Sequence, residues 1–116
     1  AAESAPKSGD RRSYQMDPLA PKQVLAEARA DLAEGADMIM VKPAGAYLDV
    51  IAEVAKKIDA PLVAYQVSGE YSMVRLAGAA GAIDERRVAI ELTSAIKRAG
   101  ADLIITYFAE ALAGWL

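Results

Sequence analysis

The sequence predicts an α/β fold built on a small parallel sheet. Three short apolar segments, typical of buried strands, alternate along the chain with longer segments whose apolar residues recur at helical spacing. A helix between two strands of one sheet forms a right-handed crossover, which leaves the two strands parallel. The composition suits such a globular fold, since hydrophobic residues make up 54% of the 116 residues.

The first part of the chain predicts a helix, a strand and a second helix. Asp17, followed by proline, suits a helix N-terminus, and apolar residues then recur at helical spacing to about Glu34. Gly35 follows at the position where a helix C-cap is favoured. The apolar run at residues 38–41 predicts a strand with both faces covered, and the apolar stripe at residues 47–58 predicts the next helix.

The second part of the chain predicts five further elements. A strand, a short helix, a long helix, a strand and a short helix follow one another at residues 61–68, 70–80, 84–100, 103–108 and 109–115. Asp84 suits the N-cap of the long helix, and Gly100 suits its end. A complete (β/α)8 barrel needs eight strands and typically about 250 residues. The residues therefore leave open a small α/β domain or the terminal part of such a barrel.

The composition excludes several kinds of chemistry and partner. The chain contains neither cysteine nor histidine, so it holds no disulfide, thiol nucleophile, Ser-His-Asp triad or Cys/His zinc site. Lys and Arg number 13 and Asp and Glu 16, a net charge of −3, which argues against nucleic acid and anionic membrane surfaces as partners. No apolar run is long enough for a transmembrane helix, and the first residues lack the apolar core of a signal peptide, so we expect a cytoplasmic protein.

Lys42 is the most informative candidate for catalysis. It closes an apolar strand at the carboxyl end, where α/β sheets and barrels place their active sites. Among apolar groups an amine is more often neutral, because desolvation disfavours the ammonium, and a neutral amine can attack a ketone or aldehyde to form an imine. The alternative is a lysine that extends its charge into solvent from the strand end.

Two hydroxyl residues are predicted to end the other two strands. If the strands are neighbours, Ser68 and Tyr107 converge with Lys42 on one rim of the sheet. Their hydroxyl groups can donate hydrogen bonds to a substrate carboxylate. Alternatively, Tyr107 is only a rim aromatic and Ser68 only opens a turn.

Charged residues near the N-terminus suggest two weaker sites. Arg11 and Arg12 lie in a loop-rich segment, and arginine suits a carboxylate clamp, although a solvated pair is the alternative. Glu27, Asp31 and Glu34 share one helical face, an arrangement that could help to hold Mg²⁺ or could be a solvated outer face.

Four segments of the chain resemble the porphobilinogen synthase family, also called 5-aminolevulinate dehydratase. They occur in the family's order and are spread over almost the whole chain from Gly9 to Trp115: GDRRSYQMDP, EGADMIMVKPAGAYLD, AYQVSGEYSM and KRAGADLIITYFA. The resemblance implies a (β/α)8 TIM barrel, assembled as a homo-octamer. It also implies the condensation of two 5-aminolevulinate molecules to porphobilinogen with loss of water, in tetrapyrrole and heme synthesis.

The resemblance also implies roles for five residues. Lys42 corresponds to the lysine that forms a Schiff base with the ketone of the first substrate. Ser68 and Tyr107 correspond to ligands of that substrate's carboxylate. Arg11 corresponds to an arginine that binds the carboxylate of the second substrate, and Gln15 to a glutamine nearby.

The resemblance extends only to the C-terminal part of the family's barrel. We therefore expect a fragment, with residues 1–18 as the end of an active-site lid and residues 19–116 as C-terminal βα units. Glu27 falls where some bacterial relatives bind an allosteric Mg²⁺, while zinc is expected only through residues outside this chain. The second active-site lysine also lies outside it, so we expect the isolated chain to be inactive and to associate with itself or with the missing segment.

Two alternatives to this function follow from the residues. A strand-end lysine is shared by other Schiff-base barrel enzymes of the class I aldolase type. The chain could also be a non-catalytic α/β module that keeps these residues without activity. Two experiments distinguish the synthase, the aldolase-type enzyme and the non-catalytic module. One identifies the substrate that is trapped on Lys42, and the other measures turnover after Lys42 is replaced.

Overall fold

The computed structural model describes residues 21–115 and contains five α-helices and three strands within them. In chain order these elements are α1 (Pro21–Ala33), β1 (Ile39–Val41), α2 (Leu48–Lys57), β2 (Leu62–Tyr65), α3 (Ser68–Ala79), α4 (Glu85–Ala99), β3 (Leu103–Ile105) and α5 (Ala109–Trp115). A short 3₁₀ helix, Gly45–Tyr47, precedes α2. The predicted order of helices and strands is confirmed over this range. The predicted helix start at Asp17 and the segment 1–18 lie outside the described residues.

The three strands form one parallel sheet in the order β1-β2-β3, as the alternation of helices and strands predicts. In the register, Met40 lies beside Val63, and Val63 lies beside Leu103. Because paired residues of parallel strands point the same way, these three side chains lie on one face of the sheet. Consecutive parallel strands with intervening helices are the repeating unit of a (β/α)8 barrel.

Helices cover the other face of the sheet and form the main core with it. Strand residues Ile39, Val41, Leu62 and Ala64 are buried there against residues of α2 and α4, chiefly Ile51, Val54 and Ile96. Ile51 and Ala64 are fully inaccessible to solvent. Burial of one such large aliphatic side chain contributes roughly 1.5–3 kcal/mol, so this layer is the main apolar attachment between the sheet and its helices.

The predicted burial of both strand faces is wrong for β1 and does not hold for β3, whereas Leu62 and Val63 of β2 are buried on opposite faces. Met40 is 48% exposed and Leu103 is 58% exposed, although each lies within a strand. Met38 and Ile105 are exposed as well. The main core lies on the opposite face, and in a closed barrel the inward faces of all the strands cover one another. Three strands cannot provide that cover.

A second, smaller core lies between α3, α4 and α5. Its buried members are Val74, Ala89, Phe108 and Leu112, with Tyr71 and Trp115 packed against them. Phe108 is almost fully buried although it follows β3 in a turn. This cluster therefore anchors the chain just beyond the carboxyl end of β3 to the helices behind it.

The helix ends follow the predicted local signals. The Asp84 side chain accepts a hydrogen bond from the Arg87 backbone N–H at 3.2 Å, as expected of an N-cap. Gly100 ends α4 with a φ of +129°, and a Cβ at this position would overlap the Cβ of Ala55. Glycine is thus required there for both its backbone angle and its size. No helix among residues 21–115 has the length and apolar character needed to cross a membrane.

Candidate active site

Lys42 directly follows the last residue of β1, at the carboxyl end of the sheet, which is the predicted position. Its side chain is exposed, so the predicted apolar surrounding is not present among the described residues. The reason is the open sheet face. Alternation along the strand places Lys42 on the same face as Met40, two residues earlier in β1, and Met40 is itself half exposed.

Ser68 and Tyr107 lie beyond the strand ends and not at them, which corrects the predicted strand lengths. β2 ends at Tyr65 and β3 ends at Ile105. Ser68 is the first residue of α3, because the chain enters that helix directly after the extended residue Val67. Tyr107 lies in the turn between β3 and α5 and is exposed. Both residues nevertheless share the carboxyl edge of the sheet with Lys42.

Backbone hydrogen bonds hold the three loops at this edge next to one another. The Ala44 N–H donates to the carbonyl oxygen of Tyr65 at 3.0 Å, and the Gln66 N–H donates to the carbonyl oxygen of Ile105 at 2.8 Å. The parallel pairing of the strands thus continues into the segments that carry Lys42, Ser68 and Tyr107. The structure therefore brings the three predicted residues to one edge on segments that are directly bonded to each other.

The Glu70 carboxylate joins two of these segments, and sequence reasoning did not identify it. One carboxylate oxygen accepts the backbone N–H of Gly45 at 2.7 Å, and the other accepts the N–H of Val67 at 2.8 Å. A Cβ at position 45 would overlap the carboxylate, so glycine is needed for this contact. The bond to Val67 had a local signal, because a glutamate at the third position of a helix commonly accepts the backbone N–H of the N-cap residue. The long-range bond to Gly45 has no local signal.

The ring of Tyr107 packs beside a group of aromatic side chains. Its centroid lies 5.4 Å from that of Tyr71, which in turn lies 4.6 Å from that of Phe108. A hydrogen bond to Tyr107, followed by electrostatic repulsion from it, raises the pKa of Tyr65. Tyr65 of β2 and Tyr71 of α3 are therefore neighbours of the candidate ligand Tyr107, and sequence reasoning identified neither.

A buried polar network links the ends of β2 and β3. Gln66 is 1% exposed, and its side-chain oxygen accepts a hydrogen bond from the Thr106 hydroxyl. The Thr106 oxygen accepts the Phe108 N–H at 3.1 Å. These bonds enclose the turn that carries Tyr107, since Thr106 and Phe108 lie on either side of it.

The remaining predicted site residues are Arg11, Gln15 and Glu27. Arg11 and Gln15 lie outside the described residues. Glu27 is exposed on α1, a helix at the start of the described chain. Among residues 21–115, no group of three or more acidic side chains is placed to hold a metal ion. Glu27, Asp31 and Glu34 therefore do not form a metal centre by themselves.

A parallel α/β sheet with a lysine and two hydroxyl residues beyond its carboxyl edge defines part of a barrel-type protein with a candidate site at the barrel mouth. The chain matches the protein-family model for delta-aminolevulinic acid dehydratase over residues 1–115 and belongs to that family. The predicted family is thereby confirmed.

Known relatives agree with this assignment. The chain is 55% identical over 116 residues to the delta-aminolevulinic acid dehydratase of Synechococcus elongatus, and 56% identical over 113 residues to that of Escherichia coli. It covers 36% and 35% of these two proteins. Its fold matches the crystal structure of the Toxoplasma gondii delta-aminolevulinic acid dehydratase (porphobilinogen synthase) in complex with its reaction product porphobilinogen. The TM-score is 0.91 at 46% identity, over 94% of this chain and 31% of that one. The chain thus spans about a third of the length of its relatives.

Proposed function

We propose that this chain supplies part of the active site of a porphobilinogen synthase, with Lys42 as its Schiff-base residue. The observation that carries the proposal is the position of Lys42, Ser68 and Tyr107 on three directly bonded segments at one edge of the sheet. Membership of the delta-aminolevulinic acid dehydratase family supports the reaction class. The reaction condenses two 5-aminolevulinate molecules into porphobilinogen with loss of water.

In the proposed first step the Lys42 amine attacks the ketone carbon of one 5-aminolevulinate. A carbon–nitrogen bond forms and the ketone oxygen leaves as water, which gives an imine. The imine withdraws electrons from the neighbouring carbon, so that the imine or its enamine can join the second substrate. Because both substrates are held together, much of the entropic cost of their encounter is met on binding.

Ser68 and Tyr107 are proposed to bind the carboxylate of the substrate attached to Lys42. Both are exposed at the carboxyl edge, and each hydroxyl can donate one hydrogen bond to a carboxylate oxygen. The second substrate's carboxylate is assigned to Arg11, with Gln15 nearby, on the basis of family resemblance. A bidentate guanidinium–carboxylate pair suits that role.

The remainder of the enzyme is proposed to complete this site. Exposed Met40 and Leu103 lie on the sheet face that a closed barrel would cover, and the resemblance places a second active-site lysine outside this chain. Catalysis is therefore assigned to the full-length hydro-lyase, assembled as a homo-octamer. An allosteric Mg²⁺ at Glu27 would need ligands from other residues, since no described cluster holds a metal.

Borohydride trapping tests the function. In a suitable chimera this chain replaces the matching segment of the Escherichia coli relative, which is 56% identical. Reduction in the presence of 5-aminolevulinate, followed by peptide mass mapping, is expected to find the adduct on Lys42. Lys57 is the internal control, because it is also exposed but is paired with Glu53 at 2.9 Å on α2. An adduct formed with pyruvate and not with 5-aminolevulinate would favour the aldolase-type alternative, and an active Lys42→Ala chimera would contradict the proposal.

A further inference from the structure

The Glu70 carboxylate bridges the segment that follows Lys42 and the segment that precedes Ser68. Gly45, three residues after Lys42, donates its N–H to Oε1 at 2.7 Å, and Val67, one residue before Ser68, donates its N–H to Oε2 at 2.8 Å. Both carboxylate oxygens are therefore used, one on each segment. Gly45 and Glu70 are separated by 25 positions in the sequence, so the bond is a tertiary contact.

The Glu70 bridge fixes the orientation of the segment after Lys42 relative to the segment before Ser68, which the backbone pairing alone does not do. The Ala44 N–H bond to the Tyr65 carbonyl is one attachment between these segments, and a segment with one attachment can pivot about it. The bond from Gly45 to Glu70 is a second attachment at the next residue. Two adjacent attachments fix both the separation and the direction of the chain that leaves Lys42.

The local sequence is adapted to this contact. A Cβ at position 45 would overlap Glu70 Oε1, so the approach requires glycine there. The bond to Gly45 is exposed to solvent, and an exposed hydrogen bond contributes little net stability because water can replace either partner. The Gly45–Glu70 contact thus fits closely but adds little stability, which is consistent with a role in positioning.

We propose that Glu70 is a positioning residue, which holds Lys42 and Ser68 at the separation that one substrate molecule spans between its ketone and its carboxylate. This inference rests on the proposed function of Lys42. A substrate bound at both ends needs its amine and hydroxyl partners at one fixed distance, and a small displacement of a reacting group can lower a rate by about 100-fold.

The Glu70→Gln substitution in the chimera tests the inference. The amide keeps one oxygen acceptor but directs an NH₂ donor at the second backbone N–H, so one of the two attachments is lost. We expect the rate of imine trapping on Lys42 at saturating 5-aminolevulinate to fall about tenfold, while KM changes less than about threefold. Amide hydrogen exchange at Gly45 or Val67 should accelerate, which reports the lost attachment directly.

Asp102→Asn is the matched control. The Asp102 carboxylate also accepts a backbone N–H, from Leu62 at 2.9 Å, but at the amino end of the sheet, away from Lys42. Asp102→Asn weakens a carboxylate–backbone bond of the same kind, and the trapping rate is expected to stay unchanged. Gly45→Ala should slow trapping in the unsubstituted chimera. In a Glu70→Ala chimera the same substitution should slow trapping little further, because the new Cβ no longer meets the Glu70 carboxylate.

The outcomes separate the two proposals. An unsubstituted chimera that forms the Lys42 adduct, with an unchanged trapping rate in Glu70→Gln, would overturn the positioning role and leave the proposed function intact. An unsubstituted chimera that is folded but forms no adduct on Lys42 would overturn both. Slower trapping in Glu70→Gln and not in Asp102→Asn supports both.

Discussion

The Thr106 hydroxyl donates a hydrogen bond to the buried side-chain oxygen of Gln66 and so joins the carboxyl ends of β3 and β2. The two residues are 40 positions apart in the sequence. Gln66 is the one polar side chain in the core of the described residues. A buried polar group without a partner is costly, so this pair constrains how the two strand ends meet beneath Tyr107.

Replacement of Thr106 by valine tests this link. Valine keeps the shape but removes the hydroxyl, which leaves the Gln66 oxygen and the Phe108 N–H without their partners. We expect a loss of about 1–3 kcal/mol in the free energy of unfolding of the chimera, measured by urea denaturation. Thr106→Ser retains the hydroxyl and should lose much less, so equal losses in the two variants would contradict the role of the hydrogen bond.

Tyr71 is predicted to support Tyr107. The two ring centroids are 5.4 Å apart, and such a pair contributes about 0.5–1.5 kcal/mol beyond the area it buries. Tyr71→Leu should raise KM for 5-aminolevulinate severalfold, because Tyr107 loses its neighbour. Trp115→Leu is the control, since Trp115 packs on Phe108, with centroids 6.4 Å apart. A KM increase of the same size in both variants would indicate general loosening of the aromatic cluster.

Lys42→Ala should abolish turnover without unfolding the chimera. Lys42 is exposed, and substitution of an exposed side chain usually changes stability by less than about 0.5 kcal/mol. Steady-state turnover and thermal melting measure the two effects. Lys57→Ala, which breaks the exposed ion pair with Glu53, should leave turnover unchanged.

The pKa of Tyr65 provides a spectroscopic test of its contact with Tyr107. The hydrogen bond to Tyr107 raises the pKa of Tyr65 above the ordinary value of 10.0. The folded state therefore binds this proton more tightly than the unfolded state, so the stabilisation is present below pH 10.0 and is lost as the pH rises through the folded value. Tyr107→Phe should return the pKa of Tyr65 towards 10.0 in an ultraviolet difference titration. An unchanged pKa would show that the contact is absent in solution.

The 116-residue chain expressed alone should self-associate or fold poorly. Met40 and Leu103 are exposed on one face of the sheet, on either side of the buried Val63. Among the described residues, β1 and β3 each leave one edge unpaired, to which other chains can bind. We expect concentration-dependent association in sedimentation, reduced by Met40→Lys together with Leu103→Lys, and no turnover. A cooperatively melting monomer in dilute solution, or turnover by this chain alone, would be contrary to the prediction.

The order of helices and strands could be predicted from the sequence because its signals act over a few residues. Asp84 caps α4 through a bond to a residue three positions later, and Gly100 ends the helix through its own backbone angle. Lys42 could be placed at a strand end for the same reason, since an apolar run stops beside it. Family resemblance assigned roles to Lys42, Ser68 and Tyr107, and these roles remain predictions.

The sequence did not indicate which strand face stays open or how the loops are held together. Both depend on residues far apart in the chain: Met40 is exposed because three strands cannot close a barrel, and Gly45 meets Glu70 across 25 positions. Periodicity and capping report a residue's near neighbours, whereas the contacts around Lys42 exist only once parallel strands have brought separate loops to one edge. The element order is thus local information, and the geometry of the candidate site is a product of the sheet.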